Sequence, residues 1–169
     1  NHLIVGTCNL QKAYIFTKSD TIDEEWKTDA IVPTVVLHET STLKFGFSVG
    51  MNSEFAIVGG DTDKKVWVYK KNGNTWPLFQ TITADQLDSS DLRKNQVACR
   101  FGNWIGITTK LLFIGGNGGT CGTGVYLYKK DDNGIWQSTY SLTQKIADRR
   151  VPESMSISEN YVFVGQPSQ

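Results

Sequence analysis

Phe45-Gly46-Phe47-Ser48-Val49, Phe55-Ala56-Ile57-Val58-Gly59-Gly60, Val66-Trp67-Val68-Tyr69-Lys70-Lys71, Asn72-Gly73 and Trp76 follow one another in that order. The same order returns as Phe101-Gly102, Leu111-Leu112-Phe113-Ile114-Gly115-Gly116, Val125-Tyr126-Leu127-Tyr128-Lys129-Lys130, Asn133-Gly134 and Trp136. Phe45 and Phe101, Tyr69 and Tyr128, and Trp76 and Trp136 are offset by 56, 59 and 60 residues. Upstream, Leu3-Ile4-Val5-Gly6, Ala13-Tyr14-Ile15-Phe16 and Trp26 match the last three features. Downstream, 154–158 and Tyr161-Val162-Phe163-Val164-Gly165 match the first two, without the Phe-Gly pair. Preserved order at a fixed spacing marks an internal repeat.

Each feature reads as a β-strand. The apolar runs are four to six residues long, rich in Val, Ile, Tyr and Phe, and bounded by Gly, Asn and Asp, which suits strands better than helices. Asn72-Gly73 and Asn133-Gly134 are expected to supply the positive φ of tight hairpins. Each repeat is therefore a four-stranded antiparallel meander, its strands labelled A to D from the Phe-Gly strand. Side chains alternate along a strand, so Val66 and Val68 point one way while Trp67 and Tyr69 point the other. Both faces are bulky and apolar, and such a sheet must lie between two others. Small meanders stacked face to face are blades of a β-propeller. The expected fold class is all-β, with about three blades plus partial ends, as part of a larger or inter-chain propeller. The units are 1–44 (partial blade), 45–100 (blade), 101–153 (blade) and 154–169 (partial blade). Strands run B-C-D, A-B-C-D, A-B-C-D, A-B. Open faces at both ends would be adhesive, so an isolated monomer is not expected to be stable.

These residues resemble an FG-GAP repeat. Phe45–Val49, the Ile57–Gly60 run, Val66–Tyr69 and Asn74-Thr75-Trp76 carry the likeness, and Gly165-Gln166-Pro167 resembles the Gly-Ala-Pro element. The resemblance spans nearly the whole chain. It implies blades like those of integrin α-subunit heads, at the cell surface or secreted, binding proteins or matrix through loops of one face, without enzymatic activity. The calcium loop that many such blades carry between strands A and B does not fit here. Met51-Asn52-Ser53-Glu54, Thr108-Thr109-Lys110 and Glu159-Asn160 are too short and too poor in carboxylates for six to eight oxygen ligands.

Seventeen Lys+Arg against seventeen Asp+Glu argue against a nucleic-acid or polyanion binder. No apolar run approaches the roughly 20 residues of a membrane helix. Asn1–Val5 resembles neither a signal peptide nor an initiator region, so a mature product, a cut fragment or a portion of a longer chain is expected. The two histidines, His2 and His38, offer no general base with identifiable partners. Three cysteines without a Cys-x-x-Cys pair do not form a zinc site. No cofactor or metal is expected. The glycine-rich 115–124 stretch lacks the Lys-Ser/Thr of a phosphate loop and reads as a long B–C connection.

Strand direction puts the B–C and D–A connections on one face and the A–B and C–D turns on the other. Cys99 and Cys121 then share a face and a blade, and are expected to pair, with Cys8 free or bonded elsewhere; the pairing would imply an extracellular setting. Asp61 and Asp63 open a B–C connection that reads as a solvated turn, with a cation site as the alternative. The D–A connections, taken as 27–44, 77–100 and 137–152, are long, and long loops on a rigid scaffold are where binding resides. One carries Asp85, Asp88 and Asp91, the next Lys145, Arg149 and Arg150. Trp104 stands where Ser48 stands in the preceding repeat, in an innermost strand, and is a candidate for ligand contact or for core packing. The ligand-binding candidates are thus Trp104, Asp61, Asp63, Arg149 and Arg150. The expected partner is a protein or a glycan, or else copies of this chain or the rest of a longer one. The expected role is extracellular recognition, adhesion or assembly. The alternatives are a lectin-like propeller with one tryptophan per blade on sugar, a filament subunit joined through open blades, and an accessory module of a larger hydrolase.

Overall fold

Short apolar runs punctuated by glycine become thirteen strands in the computed structural model, which describes residues 2–18, 32–40, 44–61, 64–84, 100–117, 123–141, 154–158 and 161–165. A first sheet holds β1 (His2–Thr7), β2 (Lys12–Thr17) and β3 (Val35–His38), in that order. A second holds β4 (Phe45–Met51), β5 (Phe55–Gly60), β6 (Lys65–Lys70) and β7 (Leu78–Thr83). A third holds β8 (Trp104–Ile107), β9 (Leu111–Asn117), β10 (Thr123–Lys130) and β11 (Trp136–Ser141), and β12 (Ser154–Ile157) pairs with β13 (Val162–Gly165). Every pairing is antiparallel between chain neighbours. The described residues are all-β, with a 3-10 turn at Cys8–Leu10 and no α-helix. The first strands adjoin in succession, β1 against β4, β4 against β8 and β8 against β12. Among the described residues the sheets do not close on themselves.

The alternation in β6 governs the packing. Trp67 and Tyr69, with Ala56, Val58, Phe45 and Trp76, form one buried cluster with Ala13, Ile15 and Leu37 of the first sheet. Val66 and Val68, with Phe55, Ile57 and Ile82, form another with Leu112, Ile114, Tyr126, Tyr128 and Trp136 of the third. The second sheet is therefore covered on both faces, as its lack of a polar side requires.

The Phe-Gly pair locks one sheet to the one before it. Phe45 and Phe101 are fully buried in the two clusters. Phe45 stands edge-on to Trp67, ring centroids 5.0 Å apart, and Phe101 lies against Tyr126 at 6.0 Å. Gly46 (φ 85°) and Gly102 (φ 94°) adopt the left-handed backbone that a side chain disfavours. Their carbonyl oxygens press onto the Cα of Gly6 and Gly59 of the preceding sheets, where a Cβ would collide with them. Glycine is needed on both sides of this contact. The pattern of irregularities repeats too. Ladders slip between Val68 and Tyr69 and between Leu127 and Tyr128, and Gln11 and Lys64 hold matching left-handed positions ahead of β2 and β6.

Two expectations are corrected. The stretches read as D–A connections contain the fourth strands themselves: Val35–His38, Leu78–Thr83 and Trp136–Ser141. In the first of these Leu37 is buried and Val35 packs on the core, which draws that segment into the sheet. At the C–D turns only Gly73 (φ 59°) and Gly134 (φ 83°) take positive φ; Asn72 and Asn133 do not.

Candidate functional site

The turn face carries a repeated seam of charged and aromatic groups. Glu54, in the β4–β5 turn, receives Lys130 Nζ at 2.6 Å from the third sheet and lies 3.8 Å from Lys70 Nζ. Lys130 also stands over the rings of Phe55 (5.0 Å) and Trp136 (5.7 Å), and those rings meet edge-on at 5.5 Å. One sheet earlier the same device is built from different residues. Lys71 Nζ is 2.7 Å from His2 Nε2, and the His2 ring meets Trp76 edge-on at 5.7 Å. Asn52 accepts the backbone N–H groups of Glu54 and Phe55 on Oδ1 and donates Nδ2–H to Thr108 O of the next sheet. On the outer strands Gln80 completes the seam as a surrogate backbone unit, donating to Trp136 O and accepting from Trp136 N, both at 2.9 Å.

Two clefts open along this seam. One, of about 610 Å³, is lined by Thr109, Lys110, Leu111, Lys129, Lys130 and Asp131. The other, of about 280 Å³, is lined by His2, Met51, Asn52, Ser53 and Lys71. In the larger cleft Asp131 is spent on its own turn, accepting from the backbone N–H groups of Asn133 and Ile135 and from Gln137 Nε2. Lys110 and Lys129 are exposed. Sequence reasoning missed this seam, although the Lys-Lys pair closing strand C in both complete repeats was its signal.

The opposite face corrects one expectation. Asp61 is not a solvated turn residue but is 7% exposed, with its Oδ1 3.4 Å from Arg100 Nε. Arg100 precedes the Phe101-Gly102 lock, so the arginine that arrives with the next sheet covers the carboxylate. An ion pair of this kind spans two sheets. Trp104 lies in β8, half-buried, with its ring against Gly115. Its counterpart Ser48 instead donates its hydroxyl to Gly102 O at 2.5 Å. Asp63, Arg149, Arg150, Cys99, Cys121, Trp26 and the charged residues at 85–91 and 145 fall outside the described residues. Of the predicted ligand-binding set, Trp104 and Asp61 lie among the described residues. Cys8 is a free, half-exposed thiol.

Burial pushes the Tyr69 hydroxyl up to about 12, with the negative charge of Glu39 adding to the effect. Burial also raises Tyr128, with Tyr126 contributing. An unfolded tyrosine loses its proton near pH 10, while the folded Tyr69 keeps it. Stability is then fully present below pH 10 and declines as pH rises toward 12. A series of thermal melts from pH 8 to 12, with tyrosinate followed by absorbance, should show this decline, and Tyr69→Phe should lessen it while the Tyr128 contribution remains. Equal alkaline losses in the two proteins would contradict the assignment.

Among the described residues no three His, Cys, Asp or Glu side chains converge as metal ligands, and no helix is long and apolar enough to cross a membrane. No protein-family model, curated protein or solved structure matches the chain.

Proposed function

We propose that the chain is a run of FG-GAP-type propeller blades forming a non-enzymatic binding and assembly module at the cell surface or outside the cell. The carrying observation is the succession of β4, β8 and β12, the first strands of three repeats, against one another beside a middle sheet buried on both faces. First strands that adjoin in order are what blades around a hub require. In this reading the loop face, where Asp61 and Arg100 meet, is a binding surface held by a rigid stack. Trp104 sits on an innermost strand near the hub. The buried positions of Trp76 and Trp136 favour a protein partner over a sugar stacked on each blade.

Parallel binding assays on immobilised extracellular-matrix proteins and on a glycan array test the reading. Saturable binding to a protein is expected. Lys64→Glu, an exposed residue on the loop face, should weaken it at least several-fold, and Lys110→Glu on the turn face should leave it unchanged. Binding to glycans alone, or sensitivity confined to Lys110, would overturn it.

A further inference from the structure

We infer that Asn72 is a site of spontaneous covalent modification. Its side-chain amide is lost to the Gly73 peptide nitrogen, leaving aspartate and isoaspartate in the β6–β7 turn, while the matching Asn133 is protected. The inference is local to these turns and does not depend on the proposed binding role. Both complete repeats place Asn-Gly after the Lys-Lys pair, but the two turns are built differently. Trp76 follows Tyr69 by seven residues, whereas Trp136 follows Tyr128 by eight. The shorter turn is a two-residue hairpin, in which Asn72 and Thr75 exchange backbone N–H···O bonds of 2.9 and 3.0 Å. Gly73 alone takes positive φ there (59°), the II′ pattern of such turns. The extra residue of the longer turn carries Asn133-Gly134 inside the loop, where Gly134 N–H donates to Asp131 O at 2.9 Å.

The chemistry is redox-neutral and needs only water. Hydroxide takes the Gly73 amide proton, and the nitrogen attacks Asn72 Cγ. The new N–Cγ bond closes a five-membered succinimide as the Cγ–Nδ2 bond breaks, and Nδ2 leaves as ammonia with a proton from water. Water then adds to either ring carbonyl and one ring C–N bond opens, giving aspartate or isoaspartate. Three features favour this at Asn72. Gly73 N–H makes no hydrogen bond among the described residues, so its proton leaves without breaking one. The charge left on the peptide spreads to Asn72 O, which accepts from Thr75 N–H at 3.0 Å and from the Thr75 hydroxyl at 2.8 Å. Donors already fixed on a developing oxyanion stabilise it. Nothing lies within 4 Å of the Gly73 Cβ position and residues 72–75 are exposed, so water reaches the ring. At the other turn Gly134 N–H must first give up Asp131 O, and among the described residues no group donates to Asn133 O. Conversion puts a carboxylate beside Lys71, and isoaspartate adds a main-chain methylene that breaks the pairing with Thr75.

Peptide mapping by mass spectrometry tests the inference on the folded chain held at neutral to mildly alkaline pH, with isoaspartyl methyltransferase labelling to count isoaspartate. Cleavage after lysine and arginine puts Asn72, Asn133 and the further Asn-Gly at Asn117 on three different peptides. Asn72 should convert roughly five- to tenfold faster than Asn133, about the factor one hydrogen bond is worth. Its rate should rise in proportion to hydroxide, and in urea the two sites should converge, since unfolding removes both sets of contacts. Thr75→Val deletes the hydroxyl and should slow Asn72 several-fold, Thr75→Ser should restore the rate, and neither should alter Asn133. Asn133 converting as fast as Asn72 in the folded chain, or a difference that persists in urea, would overturn the inference. An unchanged Asn72 rate in Thr75→Val would overturn the part given to the hydroxyl. Should a variant misfold, the comparison of the two sites within the unmodified chain decides.

Discussion

Gly59→Ala lowers the thermal midpoint by roughly 6–12 °C. The added methyl would sit inside the carbonyl oxygen of Gly102 and the hydroxyl of Ser48, and 2.9 Å from Ile105 Cδ1. Serine and isoleucine can rotate, but the carbonyl belongs to the backbone of the next sheet and moves only if the sheets separate. Overpacking costs about 1–3 kcal/mol where side chains yield; a backbone obstruction belongs at about 3 kcal/mol or above by the same reasoning. For a chain of this size about 1 kcal/mol corresponds to roughly 2–4 °C. Gly73→Ala is the control. Nothing lies within 4 Å of its Cβ position, and φ is 59°, so it bears only the left-handed penalty of about 1–2 kcal/mol. Equal effects of the two substitutions in thermal melts would show that the Gly59 contact is not a sheet-to-sheet lock.

Trp136→Ala should cost about 3–5 kcal/mol, the usual range for deleting a large buried aromatic. Trp136 is almost fully buried, edge-on to Phe55, and under the Lys130 ammonium. The Gln80 bonds go to its backbone and survive the truncation, so the loss reports the ring. A double-mutant cycle with Phe55→Ala isolates the contact between sheets. Coupling of about 0.5–1.5 kcal/mol is expected for an aromatic pair, measured by denaturant unfolding. Additive losses would mean that the two rings do not meet.

Much of this architecture was legible because two physical signals coincide. Val66-Trp67-Val68-Tyr69 alternates two apolar faces, which forces sheets on both sides, and the two clusters divide those four residues as the alternation requires. The strand order B-C-D, A-B-C-D, A-B-C-D, A-B is the order found, because glycine and asparagine mark most strand ends. The fourth strands were less legible. Val35–His38 is short and half exposed, and Leu78–Thr83 mixes Gln and Thr with its apolar residues, so neither stands out from a polar connection. Pairing with β2 and β6 supplies what propensity does not.

The site was harder to read. Asp61 looked like turn punctuation, and its ion partner Arg100 comes 39 residues later in sequence. Glu54, Lys130 and Gln80 act across sheets, and spacing along one strand does not reveal a partner on the next. The seam is best described as one device with interchangeable parts. His2 and Phe55 fill the same position beneath a tryptophan edge and a lysine, the first through its ring nitrogen and the second through its π face.

Face-to-face stacking of successive sheets is the claim on which the rest depends, and nuclear Overhauser contacts between aromatic rings test it most directly. Stacking predicts cross-peaks from the Phe55 ring to the Trp136 indole and from the His2 ring to the Trp76 indole, each joining two sheets. Cross-peaks from Trp136 and Trp76 confined to residues of their own sheets would contradict it.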